Sequence, residues 1–202
     1  MTRVEKVGRN RQLVLAAARR VFLARGYAGA TLDAIADEAG FTKGVVYSQF
    51  QSKADLFLAL LEQRIAERAE QNAQLADEVG GASSAELVTA LLALADQLQL
   101  ADPDWSLLVV EFRAQAARDP ELGRRYAIAH AQTIDRLART LAGVYERAGV
   151  QPPVPPHRLA EFALAIGSGV VLERAANPDA LPGPVLGRLV VGGATQEPVR
   201  WT

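Results

Sequence analysis

The feature that most constrains the fold is a pair of short apolar helical patterns on either side of Gly40. In the first pattern, apolar residues recur at i, i+3, i+4 and i+7 after Thr31, which is a favourable N-cap residue. Gly40 permits the positive φ that a tight turn needs. The second pattern begins after Thr42 and places Val46 and Phe50 on one inward face. The two patterns together predict a helix-turn-helix whose second helix exposes its opposite face.

The rest of the chain predicts further helices and no strand, because alanine and leucine recur with helical spacing between Gly and Pro breaks. Besides the two short helices, the predicted spans are about 10–25, 53–79, 84–100, 105–117, 120–148, 157–176 and 183–192. We therefore predict an all-α fold, in which an N-terminal three-helix domain is joined by a long helix to a helical body. The predicted bounds are 1–57 for the first domain, 58–194 for the body and 195–202 for a tail.

Charge is divided unevenly along the chain, although the total is only −1. Residues 1–56 hold nine Lys or Arg against five Asp or Glu, a net charge of +4, and the remainder is net −5. A basic first domain on an acidic body is typical of a module that binds a polyanion. The segment before the first predicted helix carries Arg3, Lys6 and Arg9, and is either a solvated tail or an arm that follows a DNA backbone.

The exposed face of the second short helix carries side chains that suit DNA contacts. Lys43 can reach a guanine edge or a phosphate, and Val45 can touch a thymine methyl group. The remaining candidates offer hydroxyl groups, close backbone approach or a helix start to phosphate oxygens, and they are Thr31, Thr42, Gly44, Tyr47, Ser48 and Lys53. The alternative is a small three-helix core with a solvated polar face.

Several spaced segments resemble the TetR family of regulators at once. Residues 11–27 resemble the family's first helix, 31–36 with 39–47 its helix-turn-helix, and 50–57 its closing segment. The resemblance implies a homodimeric DNA-binding regulator, a repressor released from a palindromic operator by a small-molecule inducer. An activator is the alternative, and it differs only in where the operator lies. The resemblance also implies that the candidates named above contact DNA, together with Gln49. Gln49 stands where the family often has His, and Ser48 where it often has an aromatic residue.

The body offers candidates for a ligand site and for a dimer interface. Its larger aromatic side chains predict an apolar cavity with polar anchors, lined by Trp105, Phe112, Tyr126 and His130. Glu111 and Arg113 lie beside this stripe. A buried Arg113 could anchor an acidic ligand, but a surface salt bridge is favoured. The residues predicted to pair with a second copy are Phe162, Ile166, Val170, Leu186 and Leu189. The alternative for both sets is ordinary packing within one chain.

An enzyme is not predicted. Only two histidines are present, His130 and His157, and neither pairs with a serine nucleophile in a recognisable pattern. Cysteine is absent, and we predict no cofactor, metal or membrane partner. The N-terminus has no apolar segment typical of a secretion signal, which fits a cytoplasmic protein. The alternative function is a helical ligand-binding or scaffold protein with a helix-turn-helix that it does not use.

Overall fold

The computed structural model describes residues 3–78 and 102–180. Within those ranges all regular secondary structure is helical, which confirms the all-α prediction. The helices are α1 (Arg3–Gly29), α2 (Leu32–Ala39), α3 (Lys43–Tyr47), α4 (Lys53–Glu78), α5 (Pro103–Ala116), α6 (Pro120–Arg147) and α7 (Pro156–Ala176). The predicted helices 84–100 and 183–192 and the tail lie outside the described residues. None of the described helices is long and apolar enough to cross a membrane.

Local capping sets several of the helix ends, including the start of α2 that the sequence predicted. Thr31 caps α2, because its Oγ1 accepts the N–H of Ala34 at 3.1 Å. Ser52 caps α4 by accepting the N–H of Asp55 at 3.1 Å. The carboxylate of Asp119 accepts two N–H groups at the start of α6. Gly149 takes a φ of 64° just beyond the end of α6, in the left-handed region that favours glycine.

The first helix differs from its prediction. It begins at Arg3 rather than near residue 10, so the basic segment is helical and not a separate arm. Nothing in this segment breaks a helix strongly, and Glu5 in the first turn complements the positive end of the helix dipole. At its other end the helix is kinked at Gly26, where φ is 67° and ψ is 172°.

The chain forms two compact units, which we name the head unit (Met1–Ile65 and Leu108–Ala129) and the body unit (Ala66–Leu107 and His130–Thr202). The head unit contains the helix-turn-helix together with parts of α5 and α6. The bounds predicted for independent domains, 1–57 and 58–194, stay a prediction.

Each unit has its own core. In the head unit, five aromatic rings make successive contacts with centroids 4.2–5.8 Å apart, and they belong to Phe22, Tyr27, Phe57, Phe112 and Tyr126. In the body unit, buried residues of α6 between Ile134 and Tyr145 pack with Ala160 of α7. Burial of this apolar surface is the main source of stability in each unit.

Candidate nucleic-acid interface

The turn between α2 and α3 has the geometry that the sequence predicted. Gly40 adopts φ 68° and ψ 27°, a left-handed conformation that costs glycine little. The N–H of Phe41 donates to the carbonyl of Ala36 at 3.0 Å, which closes the turn. Val46 is fully buried and Phe50 nearly so. These two anchors fix α3 on the head unit and leave its opposite face to solvent.

The outer face of α3 is exposed and carries hydrogen-bonding groups. Thr42, Lys43, Gly44 and Ser48 are exposed, and Tyr47 is 49% exposed although it is aromatic. An added Cβ at Gly44 would lie no closer than 4.0 Å to the nearest side-chain atom, Oγ1 of Thr42. Gly44 is therefore not needed for packing, and its lack of a side chain leaves room for another molecule to approach the backbone.

Lys43 forms an ion pair across the turn in the unbound protein. Its Nζ lies 2.5 Å from Oδ2 of Asp33, and both side chains are exposed. The hydrogen bond to Asp33 and its charge raise the pKa of Lys43 above the usual value. Because exposed ion pairs are weak, a phosphate can replace Asp33 as its partner.

Thr31 combines a structural contact with a group that remains free to donate. Its Oγ1 accepts the N–H of Ala34, while the hydroxyl proton is not used in that bond. The side chain lies at the N-terminus of α2, where backbone N–H groups favour an anion. Thr42 takes the N-cap position of α3, but its side chain makes no capping hydrogen bond.

Comparison with known proteins identifies this arrangement. The sequence profile described as bacterial regulatory proteins of the tetR family matches residues 14–60, which include α2, the turn and α3. A second profile, described as the C-terminal part of BetI-type transcriptional repressors, matches residues 83–190. The chain belongs to the TetR family. It is a DNA-binding transcription regulator, and the family resemblance stated from sequence is confirmed.

Individual relatives in the TetR family match at different lengths. The transcriptional repressor AcnR of Corynebacterium glutamicum is 26% identical over 168 residues, covering 83% of this chain and 82% of AcnR. The transcriptional activator FasR of Mycolicibacterium smegmatis is 44% identical over 63 residues, which are 31% of this chain and 28% of FasR.

Solved structures of the TetR family share the fold at low sequence identity. A regulator from Mesorhizobium loti superposes with a TM-score of 0.69 at 22% identity, covering 96% of both chains. FadR from Bacillus subtilis, solved in complex with stearoyl-CoA, has a TM-score of 0.69 at 16% identity and covers 93% of this chain and 99% of FadR. At these identities the structures show the fold alone.

In this TetR-family chain, two side chains that were predicted to contact DNA form hydrogen bonds with the backbone of α3. Oγ of Ser48 donates to the carbonyl of Val45 at 2.9 Å, and Nε2 of Gln49 donates to the same carbonyl at 3.4 Å. Oε1 of Gln49 is buried without a hydrogen-bond partner in the described part of the chain. Both side chains therefore stabilise the C-terminal end of α3 in this conformation.

Lys53, the last predicted contact, is bound inside the head unit. Its Nζ donates to the carbonyl oxygens of Tyr27 at 2.7 Å and of Ala28 at 3.1 Å. It also lies 4.6 Å from the centroid of the Tyr27 ring. Burial lowers the pKa of Lys53 below its usual value, and the negative charge of Glu111 opposes that shift. Lys53 is thus half-buried and bound to backbone carbonyls, whereas Lys43 is exposed and paired with a carboxylate.

Two polar contacts in the head unit carried no sequence signal. The carboxylate of Glu111 accepts the N–H groups of Tyr27 and Ala28, each at 2.9 Å. Arg125 donates to Asp55 at 2.5 Å. Burial disfavours the ionised form of Asp55, but hydrogen bonds from Ser52 and Arg125 outweigh it and hold its pKa below the usual value. These partners are 70 to 84 residues apart, so no local pattern could reveal them.

The predicted ligand residues fall in both units. Phe112 is fully buried in the head unit, with its ring 5.7 Å from that of Tyr126. Trp105 is 8% exposed and His130 is half-buried, and both belong to the body unit. The structure therefore brings Phe112 and Tyr126 together as members of the aromatic core of the head.

The predicted dimer residues differ in their exposure. On α7, Phe162 is 61% exposed and Ile166 is 37% exposed, whereas Val170 is 4% exposed and packed within its own chain. Leu172, which was not predicted, is 48% exposed on the same helix. Leu186 and Leu189 lie outside the described residues.

Proposed function

We propose that this protein is a homodimeric repressor, which binds a palindromic DNA operator through α3. A small molecule that binds the repressor releases it from the operator. The observation that carries the proposal is the exposed, hydrogen-bonding face of α3, held outward by the buried Val46 and Phe50. The repressor role is supported by the BetI-type profile and by the name of AcnR. A second copy is needed because helix-turn-helix proteins of this kind read two half-sites one helical turn apart, or a multiple of that spacing.

We assign the DNA contacts by chemistry. Lys43 contacts a guanine edge or a phosphate, Val45 a thymine methyl group, and Gly44 lets the backbone come close. Thr31, Thr42 and Tyr47 donate their hydroxyl protons to phosphate oxygens. Ser48 and Gln49 act through the C-terminal end of α3, and they reach DNA only by leaving the carbonyl of Val45. The exposed Lys6 and Arg9 of α1 follow the backbone from a helix rather than from an extended arm.

The inducer site lies in the body unit, in this proposal. Trp105 and His130 remain its candidates, one as an apolar wall and the other as a polar anchor. Phe112 and Tyr126 are core residues of the head. The inducer releases DNA only if it prefers the conformation that does not fit the operator. Its binding free energy for that conformation must be more favourable, by a few kcal/mol, than for the DNA-binding conformation. FadR was solved with stearoyl-CoA, which supports ligand binding by a protein of this fold and does not identify the inducer.

Selection of DNA from a random duplex pool tests the proposal. We expect the purified protein to enrich a palindromic sequence, whose affinity falls steeply as salt rises because binding to phosphates releases counterions. The slope of log affinity against log salt then gives the number of phosphates that the protein neutralises. A pool without enrichment, together with binding that does not respond to salt, would contradict the proposal and favour a scaffold with an unused helix-turn-helix.

The exposed apolar face of α7 is the proposed dimer contact. Phe162, Ile166 and Leu172 share one face of the helix, and a second copy related by a two-fold axis would cover them. We expect Phe162→Ala to raise the dimer dissociation constant by a factor on the order of 1,000, since truncating a central aromatic anchor costs about 2 kcal/mol and a homodimer carries the change in both copies. Sedimentation equilibrium measures this constant. Ile128 is 65% exposed in the head unit and provides the matched control: Ile128→Ala leaves the constant unchanged. Equal effects of the two changes would refute this interface.

A further inference from the structure

Two consecutive residues at the end of α1, Tyr27 and Ala28, have their backbone N–H and carbonyl groups bound by opposite charges. The N–H groups of Tyr27 and Ala28 donate to Oε2 and Oε1 of Glu111, each at 2.9 Å. The carbonyl oxygens of the same two residues accept Nζ of Lys53 at 2.7 and 3.1 Å. The carboxylate thus binds the N–H ends of the 26–27 and 27–28 peptide groups, and the ammonium group binds the carbonyl ends of the 27–28 and 28–29 peptide groups. The peptide group between Tyr27 and Ala28 is therefore held at both ends. Both interactions are charge-assisted hydrogen bonds, which are the stronger kind.

Gly26 makes this arrangement possible in two ways. Its φ of +67° turns the chain immediately before Tyr27, and L side chains rarely adopt that conformation. An added Cβ would also lie 2.9 Å from Oε2 and 3.3 Å from Oε1 of Glu111. Any side chain at position 26 would therefore push against the carboxylate. The glycine both shapes the turn and leaves space for Glu111.

We infer that Glu111 and Lys53 form a clamp that positions the DNA-reading helices, and that Lys53 acts through this clamp rather than as a phosphate contact. The inference rests on the proposed DNA-binding role of α3. The clamped residues precede Thr31, the N-cap of α2, by only a few positions, so they fix where α2 leaves α1. Because the Gly40 turn joins α2 directly to α3, a change in the direction of α2 at this junction also moves the face of α3 that meets DNA. Glu111 and Lys53 are positioning residues in this assignment.

The contrast between the two lysines supports the assignment. Lys43 is exposed, and its carboxylate partner, Asp33, is exposed too, so a phosphate can take the place of that partner. Lys53 is half-buried and holds two carbonyl oxygens and an aromatic ring. Moving its ammonium group to a phosphate would leave those carbonyls without this donor, at a cost that the new interaction must first offset. Tyr27 also belongs to the aromatic core of the head, so the clamp connects that core with the α1–α2 junction.

Amide exchange at Tyr27 and Ala28 tests the clamp without DNA. We expect Glu111→Gln and Lys53→Met each to speed exchange of these two amides about tenfold. Glu111→Gln replaces the charged acceptor of both N–H groups with a neutral one, and Lys53→Met releases the carbonyls that hold the same two residues in place. Amides of α7 serve as the internal control and keep their rates. Both substitutions preserve side-chain length, and thermal unfolding checks that the variants fold. Unchanged exchange at both amides would overturn the clamp.

Salt-dependent binding of the DNA sequence recovered by selection tests the role of Lys53. We expect Lys53→Met and Glu111→Gln to weaken binding about tenfold at every salt concentration, with the log–log slope of the original protein. Lys43→Met, the positive control, lowers the magnitude of that slope by about 0.9 for each phosphate that the variant no longer neutralises. An equal decrease of the slope in Lys53→Met would overturn the assignment. If the original protein binds no selected DNA, the proposed function fails, and amide exchange still decides whether the clamp exists.

Discussion

Phe112→Ala is expected to lower the free energy of unfolding by about 4 kcal/mol, the usual loss for a fully buried phenylalanine. The side chain is 0% exposed, and its ring centroid lies 4.2 Å from that of Phe57 and 4.8 Å from that of Tyr27. Truncation removes apolar burial and aromatic packing and leaves a cavity that the helices can fill only in part. Urea unfolding followed by circular dichroism measures the change.

The control for this experiment is an exposed apolar residue of the same unit. Ile128 is 65% exposed, so Ile128→Ala should change stability by no more than about 0.5 kcal/mol. All variants are compared at one protein concentration, because the stability of a dimer depends on concentration. A loss below about 1 kcal/mol for Phe112→Ala would show that the ring is not a core element. Phe112 would then again be a candidate for the ligand site predicted from sequence.

Lys43→Glu is expected to lower affinity for the selected DNA by a factor on the order of 100 or more. The change removes a cation from the exposed face of α3 and places an anion against the phosphate backbone. A dimer carries the change twice, so the interaction is removed from both half-sites. A fluorescence anisotropy titration at fixed ionic strength measures the affinity. Thermal unfolding checks the fold, since the new carboxylate faces Asp33.

Arg139 provides the matched control for charge. It is exposed in the body unit, and Arg139→Glu changes the net charge by the same amount as Lys43→Glu. Long-range interactions between exposed charges are screened at physiological salt, so we expect affinity within about twofold of the original protein. Equal decreases in affinity in the two variants would mean that overall charge, and not the face of α3, governs binding. The assignment of Lys43 to the DNA contact would then be wrong.

The sequence alone determined the helical fold and the local geometry of the helix-turn-helix. Thr31, Gly40, Ser52 and Asp119 act on backbone groups only a few positions away, so their effects are visible as short patterns. The buried Val46 and Phe50 follow from helical spacing in the same way. The start of α1 also depends on local sequence, but its prediction was wrong. Basic residues before an apolar helical pattern resemble a solvated arm, and no helix-breaking residue marks where the helix begins.

Only the tertiary structure decided the partners of those polar side chains in the head unit that bind another helix. Lys53 and Lys43 both follow a helix N-cap, yet one holds carbonyl oxygens of α1 and the other an exposed carboxylate. Glu111 reaches N–H groups 83 and 84 residues away, and Phe112 joins rings from three other helices. The physical reason is that a side-chain hydrogen bond or ring contact depends on which helices pack together. That packing is a property of the whole core, and no spacing within one helix encodes it.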